Sequence, residues 1–103
     1  MASSKFQIAV IRGDGIGIDV TAAALAVIEA ALKKTSAIRL TYHEISAGAA
    51  YYRETGRDIE ADGEEAAGKA DAMCLGAIGL PDIRYKDGTE ISPHLRLRDI
   101  YQL

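Results

Sequence analysis

The sequence has no tryptophan, one phenylalanine, one cysteine and two prolines among its 103 residues. A lone Cys74 excludes an internal disulfide and suits a reducing compartment, so a disulfide-stapled scaffold is ruled out. Its apolar setting, Ala72-Met73-Cys74-Leu75, reads as a buried, unreactive thiol rather than a nucleophile. Basic excess is also missing. Twelve Lys and Arg face fifteen Asp and Glu, a net charge of −3, which argues against a nucleic-acid footprint or an anionic membrane surface. No apolar run approaches the length of a membrane span. Met1–Lys5 is a polar leader without the apolar core of a secretory signal, so a cytoplasmic location is expected. Internal repeats, low-complexity tracts and domain linkers are absent too.

What is present begins at Ile8–Val20, IAVIRGDGIGIDV. Ile8–Ile11 is an unbroken apolar run, as in a strand buried on both faces of a parallel sheet. Gly13, Gly15 and Gly17 follow, permitting positive φ and exposing backbone amides to any anion that reaches the turn. The spacing is G-x-G-x-G, with Ile18 where a dinucleotide fingerprint wants its third glycine, so this is not a Rossmann turn. Close packing of a tight strand-to-helix turn is an equally good reading of the three glycines.

Asp19–Lys34 is the clearest helix, with Val20, Ala23, Ala24, Val27, Ile28, Ala31 and Leu32 as its apolar stripe. Ile38, Leu40 and Tyr42 alternate with polar residues in a half-exposed or edge strand, with His43 on its solvated side. Gly48–Glu54 is predicted as a short helix stopped at Thr55-Gly56, and Ile59–Ala70 as a surface helix with acids first and Lys69 last. The acids Glu60, Asp62, Glu64 and Glu65 have the composition of a metal site but fit a solvated face better. Ala72–Ile78 is a second buried strand. Strands alternating with helices predict a right-handed α/β layer built on a largely parallel sheet.

Past Leu80-Pro81 the chain turns polar, with Asp87-Gly88 as a turn. Ser92-Pro93 then opens a last helix, His94–Leu103, by an N-cap serine and a first-turn proline, with Leu97, Ile100 and Tyr101 as its buried stripe. His94 and Arg98 share a face one turn apart, and Arg96 points elsewhere. Ser92, His94 and Arg98 therefore converge as candidates for one anion, Arg98 offering a carboxylate a bidentate fork. The helix reaches Leu103 with no glycine, asparagine or proline to stop it, which leads us to expect a single incomplete domain, the N-terminal segment of a larger protein.

These stretches carry a resemblance. IAVIRGDGIGIDV, AGAAYYRETG (Ala47–Gly56), DAMCLGAIGLP (Asp71–Pro81) and SPHLRLR (Ser92–Arg98) resemble, in order, four landmarks of the isocitrate/isopropylmalate dehydrogenase family. The resemblance implies the N-terminal part of that fold. It also implies an NAD- or NADP-dependent enzyme that oxidises a 2-hydroxy-3-carboxy acid at C2 and releases the 3-carboxylate as CO₂. Mg²⁺ or Mn²⁺ would be its Lewis acid and a homodimer its full-length form. On matched positions Ser92, His94 and Arg98 would bind the substrate, a hydroxy di- or tricarboxylate. Ile16, Gly76, Ala77, Ile78, Gly79, Thr89 and Glu90 would line the cofactor side. No catalytic acid–base residue and no metal ligand match within residues 1–103, so these residues alone are expected to be inactive.

Five positions depart from the family pattern. Arg12 and Ile18 stand where prolines are usual, Asp19 replaces a glutamate, and Leu80 replaces a glycine. His94 stands where isopropylmalate enzymes carry an apolar residue, which favours a substrate with a polar substituent, as in tartrate, isocitrate or homoisocitrate. A competing reading is a complete small α/β module that binds an anion without catalysis.

Overall fold

The computed structural model describes residues 4–35 and 37–103. Strand β1 (Ser4–Ile11) leads into helix α1 (Ile16–Leu32), then β2 (Ile38–Glu44), α2 (Ala49–Thr55), α3 (Gly63–Lys69), β3 (Ala72–Leu75) and α4 (Pro93–Tyr101). The sheet order is β2-β1-β3, and both pairings are parallel, so the predicted α/β layer with a parallel sheet is what the chain forms.

Period-two alternation sorts β1 between two faces. Ala9 and Ile11 join Ile45, Ala47, Ile59, Ala67 and Leu97 in one core, against which Met73, Ala66, Ala70 and Tyr101 pack. Helices α3 and α4 cover that side. Val10 points the other way and is equally buried. On its side Tyr42, paired with Ile8 across the ladder, donates a hydrogen bond to Glu29 of α1 at 2.6 Å. Burial and this bond push the Tyr42 phenol up to about 12.

Several predicted boundaries shift, each for a local reason. Ser4 and Lys5, assigned to a polar leader, are strand, because Ser4 and Lys5 pair with Ile38 and Arg39; Met1–Ser3 lie outside the described residues. Helix α1 starts at Ile16, before Asp19, and buries Gly17 and Thr21. Its expected stripe is only partly covered, since Val20 and Val27 stay 54% and 69% exposed. Helix α3 starts at Gly63, because Ile59 is held in a bridge to Ala47 and Asp62 turns the backbone to φ 64°. The second apolar run leaves the ladder at Leu75, and β3 is a half-exposed sheet edge carrying a half-buried Cys74, not a strand buried on both faces. In α4, Leu97 is fully buried but Ile100 is 48% exposed, and Gln102 closes the helix at φ 54°.

Beyond β3 the backbone runs directly against the β1–α1 turn. A β-carbon at Gly76 would lie 2.0 Å from the Arg12 carbonyl oxygen, and one at Gly13 2.0 Å from that of Ala77. Neither neighbour is a flexible side chain. Gly76→Ala should therefore cost about 3 kcal/mol or more. Gly56, left-handed at φ 77° but in open space, should cost about 1–2 kcal/mol as alanine. Urea unfolding of the two variants checks this, and equal losses would contradict the packing account.

Candidate active site

Three amides of the glycine turn are engaged within the protein itself. Asp14 N–H donates to Ala77 O at 2.8 Å, Gly17 N–H to Asp14 O at 2.8 Å and Ile18 N–H to Gly15 O at 3.2 Å. The glycines at 13 and 17 serve close packing against Ala77. The anion at this turn is the protein's own. Asp14 is 4% exposed, and its carboxylate accepts from the amides of Ala49 (2.7 Å), Ala50 (2.9 Å) and Gly79 (2.8 Å). Asp14 thus caps α2 and fixes the loop after β3, a role that the sequence reading missed. An acid flanked by glycines directly after a buried strand was the available signal.

Two concave surfaces flank this knot. One, of about 310 Å³, lies among Arg12, Asp14, Ile18, Glu44, Ser46 and Tyr51. The other, of about 240 Å³, is lined by Ile78, Gly79, Leu80, Pro81, Arg84 and Glu90. Of the candidate cofactor residues, Ile78, Gly79 and Glu90 meet in this second cleft. Gly76 and Ala77 are backbone packing elements beneath it, with Gly76 N–H donating to Ile11 O at 2.7 Å. Ile16 is 70% exposed at the start of α1, outside the cleft lining. Thr89 hydrogen-bonds Asp87 across the turn at 2.7 Å. Glu90 pairs with Arg84 at 3.7 Å.

The candidate substrate residues lie on α4 or at its N-cap. Ser92 occupies the N-cap position, but its side chain makes no capping bond; its backbone amide donates instead to the Tyr85 hydroxyl at 3.1 Å. Arg98 is exposed. His94 is half-buried, and its Nδ1 is sealed from solvent with no partner. Protonation would strand a charged donor there, so burial first, and the nearby Arg98 charge second, hold His94 below its ordinary value. Arg96 faces away, as its spacing from Arg98 predicts. Its guanidinium forks onto Asp58 through two bonds of 2.9 Å and reaches Glu64 as well. Glu64 is therefore an ion-pair partner rather than a solvated acid, and Glu60 accepts from Ser46 N–H at 2.6 Å. Among the described residues no three His, Cys, Asp or Glu side chains gather as metal ligands would. No helix among them is long and apolar enough to cross a membrane.

A parallel α/β layer with an acid-tied glycine turn thus sets an Arg/His-bearing helix start close in sequence to a cleft-lining loop. Comparison with known proteins narrows the class. The family profile of isocitrate/isopropylmalate dehydrogenase matches residues 7–103, and the chain belongs to that family. The "Probable tartrate dehydrogenase/decarboxylase" of Agrobacterium vitis is 39% identical over 79 residues, covering 77% of this chain and 22% of that protein. The 3-isopropylmalate dehydrogenase 2 of Dechloromonas aromatica is 40% identical over 75 residues, 73% of this chain and 21% of that one. The apo crystal structure of a β-decarboxylating dehydrogenase from Thermococcus kodakarensis superposes with a TM-score of 0.69 at 32% identity, covering 94% of this chain and 27% of that chain. The chain thus spans between a fifth and just over a quarter of the length of these relatives.

Arg96 holds the Asp58 carboxyl below the usual carboxylate range, with a further bond from Tyr85. A lowered native value means that the unfolded chain takes up protons first. The contribution to stability is then complete above the ordinary value of 3.8 and is lost as pH falls through the lower native value. Arg96 is 40% exposed, so screening keeps the effect to about 1 kcal/mol. Subtracting the unfolding free energy of Asp58→Asn from that of wild type should leave a difference that is flat from pH 7 to pH 5 and shrinks below pH 4. A difference independent of pH would contradict the pair.

Proposed function

We propose that the intact protein is an NAD(P)-dependent decarboxylating dehydrogenase of a 2-hydroxy acid bearing a 3-carboxylate. The observation that carries this reading is the family match across residues 7–103, which includes both the cleft loop and α4. It also weighs against a self-contained, non-catalytic module. On this reading residues 1–103 form one incomplete N-terminal segment of a cytoplasmic, homodimeric enzyme. Arg98, exposed and without an ion-pair partner among the described residues, grips a substrate carboxylate through its fork, with Ser92 beside it. The nucleotide lies along the cleft of Ile78, Gly79 and Glu90, near Thr89 and Ile16.

When bound, a divalent metal supplies Lewis-acid polarisation of the C2 oxygen. The described residues offer it no ligand set, and no role toward it is assigned to them.

His94 decides the substituent. As a neutral imidazole with one buried, unpartnered nitrogen, it gains from a polar neighbour and loses against an isopropyl group. The preferred substrate therefore carries a hydroxyl or carboxylate, as in tartrate, isocitrate or homoisocitrate.

In the intact protein, Arg98→Lys should lower kcat/KM by about 30- to 150-fold, the equivalent of about 2–3 kcal/mol for a lost bidentate contact. A kinetic panel of tartrate, malate, isocitrate, homoisocitrate and isopropylmalate should rank a polar substrate first. An unaffected Arg98→Lys enzyme would remove α4 from the substrate site, and a tenfold preference for isopropylmalate would overturn the role given to His94.

A further inference from the structure

Helix α4 begins without help from its own N-cap side chain, and something else has to hold it. That work falls to two residues that the proposed chemistry does not use. The Tyr85 hydroxyl accepts from Ser92 N–H at 3.1 Å and donates to Asp58 Oδ2 at 2.6 Å. The same Asp58 carboxylate accepts the two bonds of 2.9 Å from Arg96, one turn further along α4. Asp58 therefore clamps the helix at two points, the N-cap amide of Ser92 through Tyr85 and the end of the first turn through Arg96. Between these points lies His94, and Arg98 follows two residues after Arg96.

The clamp is itself braced. The Tyr85 ring meets Tyr52 of α2 edge-on, with centroids 5.5 Å apart. Its backbone sits in the turn leading to Glu90, with Tyr85 N–H donating to Thr89 O at 2.9 Å and Gly88 N–H to Tyr85 O at 2.9 Å. Asp58 is likewise held, since its carbonyl accepts from Gly48 N–H at 2.9 Å. Both partners of α4 thus belong to backbone that is fixed elsewhere in the fold.

We propose that Asp58 and Tyr85 are positioning residues, which set the pose of the first turns of α4 and through it the aim of Ser92, His94 and Arg98 at the substrate. The inference rests on the reading of α4 as the substrate helix. A clamp of this kind acts on substrate binding in ground and transition state alike, so it governs KM more than kcat.

Tyr85→Phe tests it, because the phenylalanine ring keeps its place against Tyr52 while both hydroxyl bonds disappear. In the intact protein this variant should raise the hydroxy-acid KM fivefold or more and change kcat by less than twofold. Amide hydrogen exchange at Ser92 and the residues after it in α4 should accelerate at least tenfold, with the β1 amides unchanged. Asp58→Asn, which keeps an acceptor of the same shape, should give a smaller rise in KM. Arg98→Lys is measured alongside. If Arg98→Lys raises KM while Tyr85→Phe leaves both KM and α4 exchange at wild-type values, the positioning role is overturned and the substrate helix stands. If neither variant alters the kinetics, the substrate helix itself is overturned, and the inference with it. Accelerated exchange throughout the protein would make Tyr85 merely structural and would also overturn the proposal.

Discussion

The carboxylate of Asp14 is the point on which the arrangement depends. Burying a carboxylate costs several kcal/mol unless donors replace its water, and here three backbone amides do so. Those amides come from positions 35, 36 and 65 residues further along the chain. One side chain thus joins the β1–α1 turn, the start of α2 and the loop after β3. Its surroundings are shaped to fit: a β-carbon at Gly48 would lie 2.8 Å from Asp14 Oδ2, and Gly48 takes φ 127°. Ala77 O closes the knot from the opposite side by accepting from Asp14 N–H.

The functional surfaces inherit their geometry from this knot. Gly79, whose amide Asp14 holds, lines the cleft assigned to the nucleotide. Helix α2, whose start Asp14 caps, presents Tyr52 to the ring of Tyr85, and Tyr85 holds the N-cap amide of α4. A chain of contacts therefore runs from the buried acid to the helix that carries His94 and Arg98. The glycine turn is in this chain a packing and fastening device, with Gly13 and Gly17 set against Ala77.

Much of the layer was legible in the residues. The Ile8–Ile11 run, the edge alternation of Ile38–Tyr42 and the stop at Gly56 each state a local preference that the fold keeps. What could not be read were features decided by distant partners. Ile59 looks like the first residue of a helix until Ala47 captures it in a bridge. Ala72–Ile78 looks like one continuous strand until Gly76 meets the Arg12 carbonyl. Val20 and Val27 fit an apolar stripe by spacing, but the described residues offer them no covering surface. In the site, the Arg96/Arg98 division followed from helical periodicity alone. Asp14 offered only the faint signal of an acid between glycines, and Asp58 and Tyr85 were invisible because nothing in their local sequence states which distant groups they meet.

The central claim is that Asp14 ties three segments together, and native-state amide hydrogen exchange of an Asp14→Asn variant of the intact protein tests it most directly. The substitution keeps the shape but replaces one acceptor oxygen with a donor. The account predicts that the amides of Ala49, Ala50 and Gly79 lose protection together, each by tenfold or more, while those of Val10 and Ile11 in the centre of the sheet keep theirs. Unchanged exchange at these three amides, or a loss confined to one of them, would contradict it.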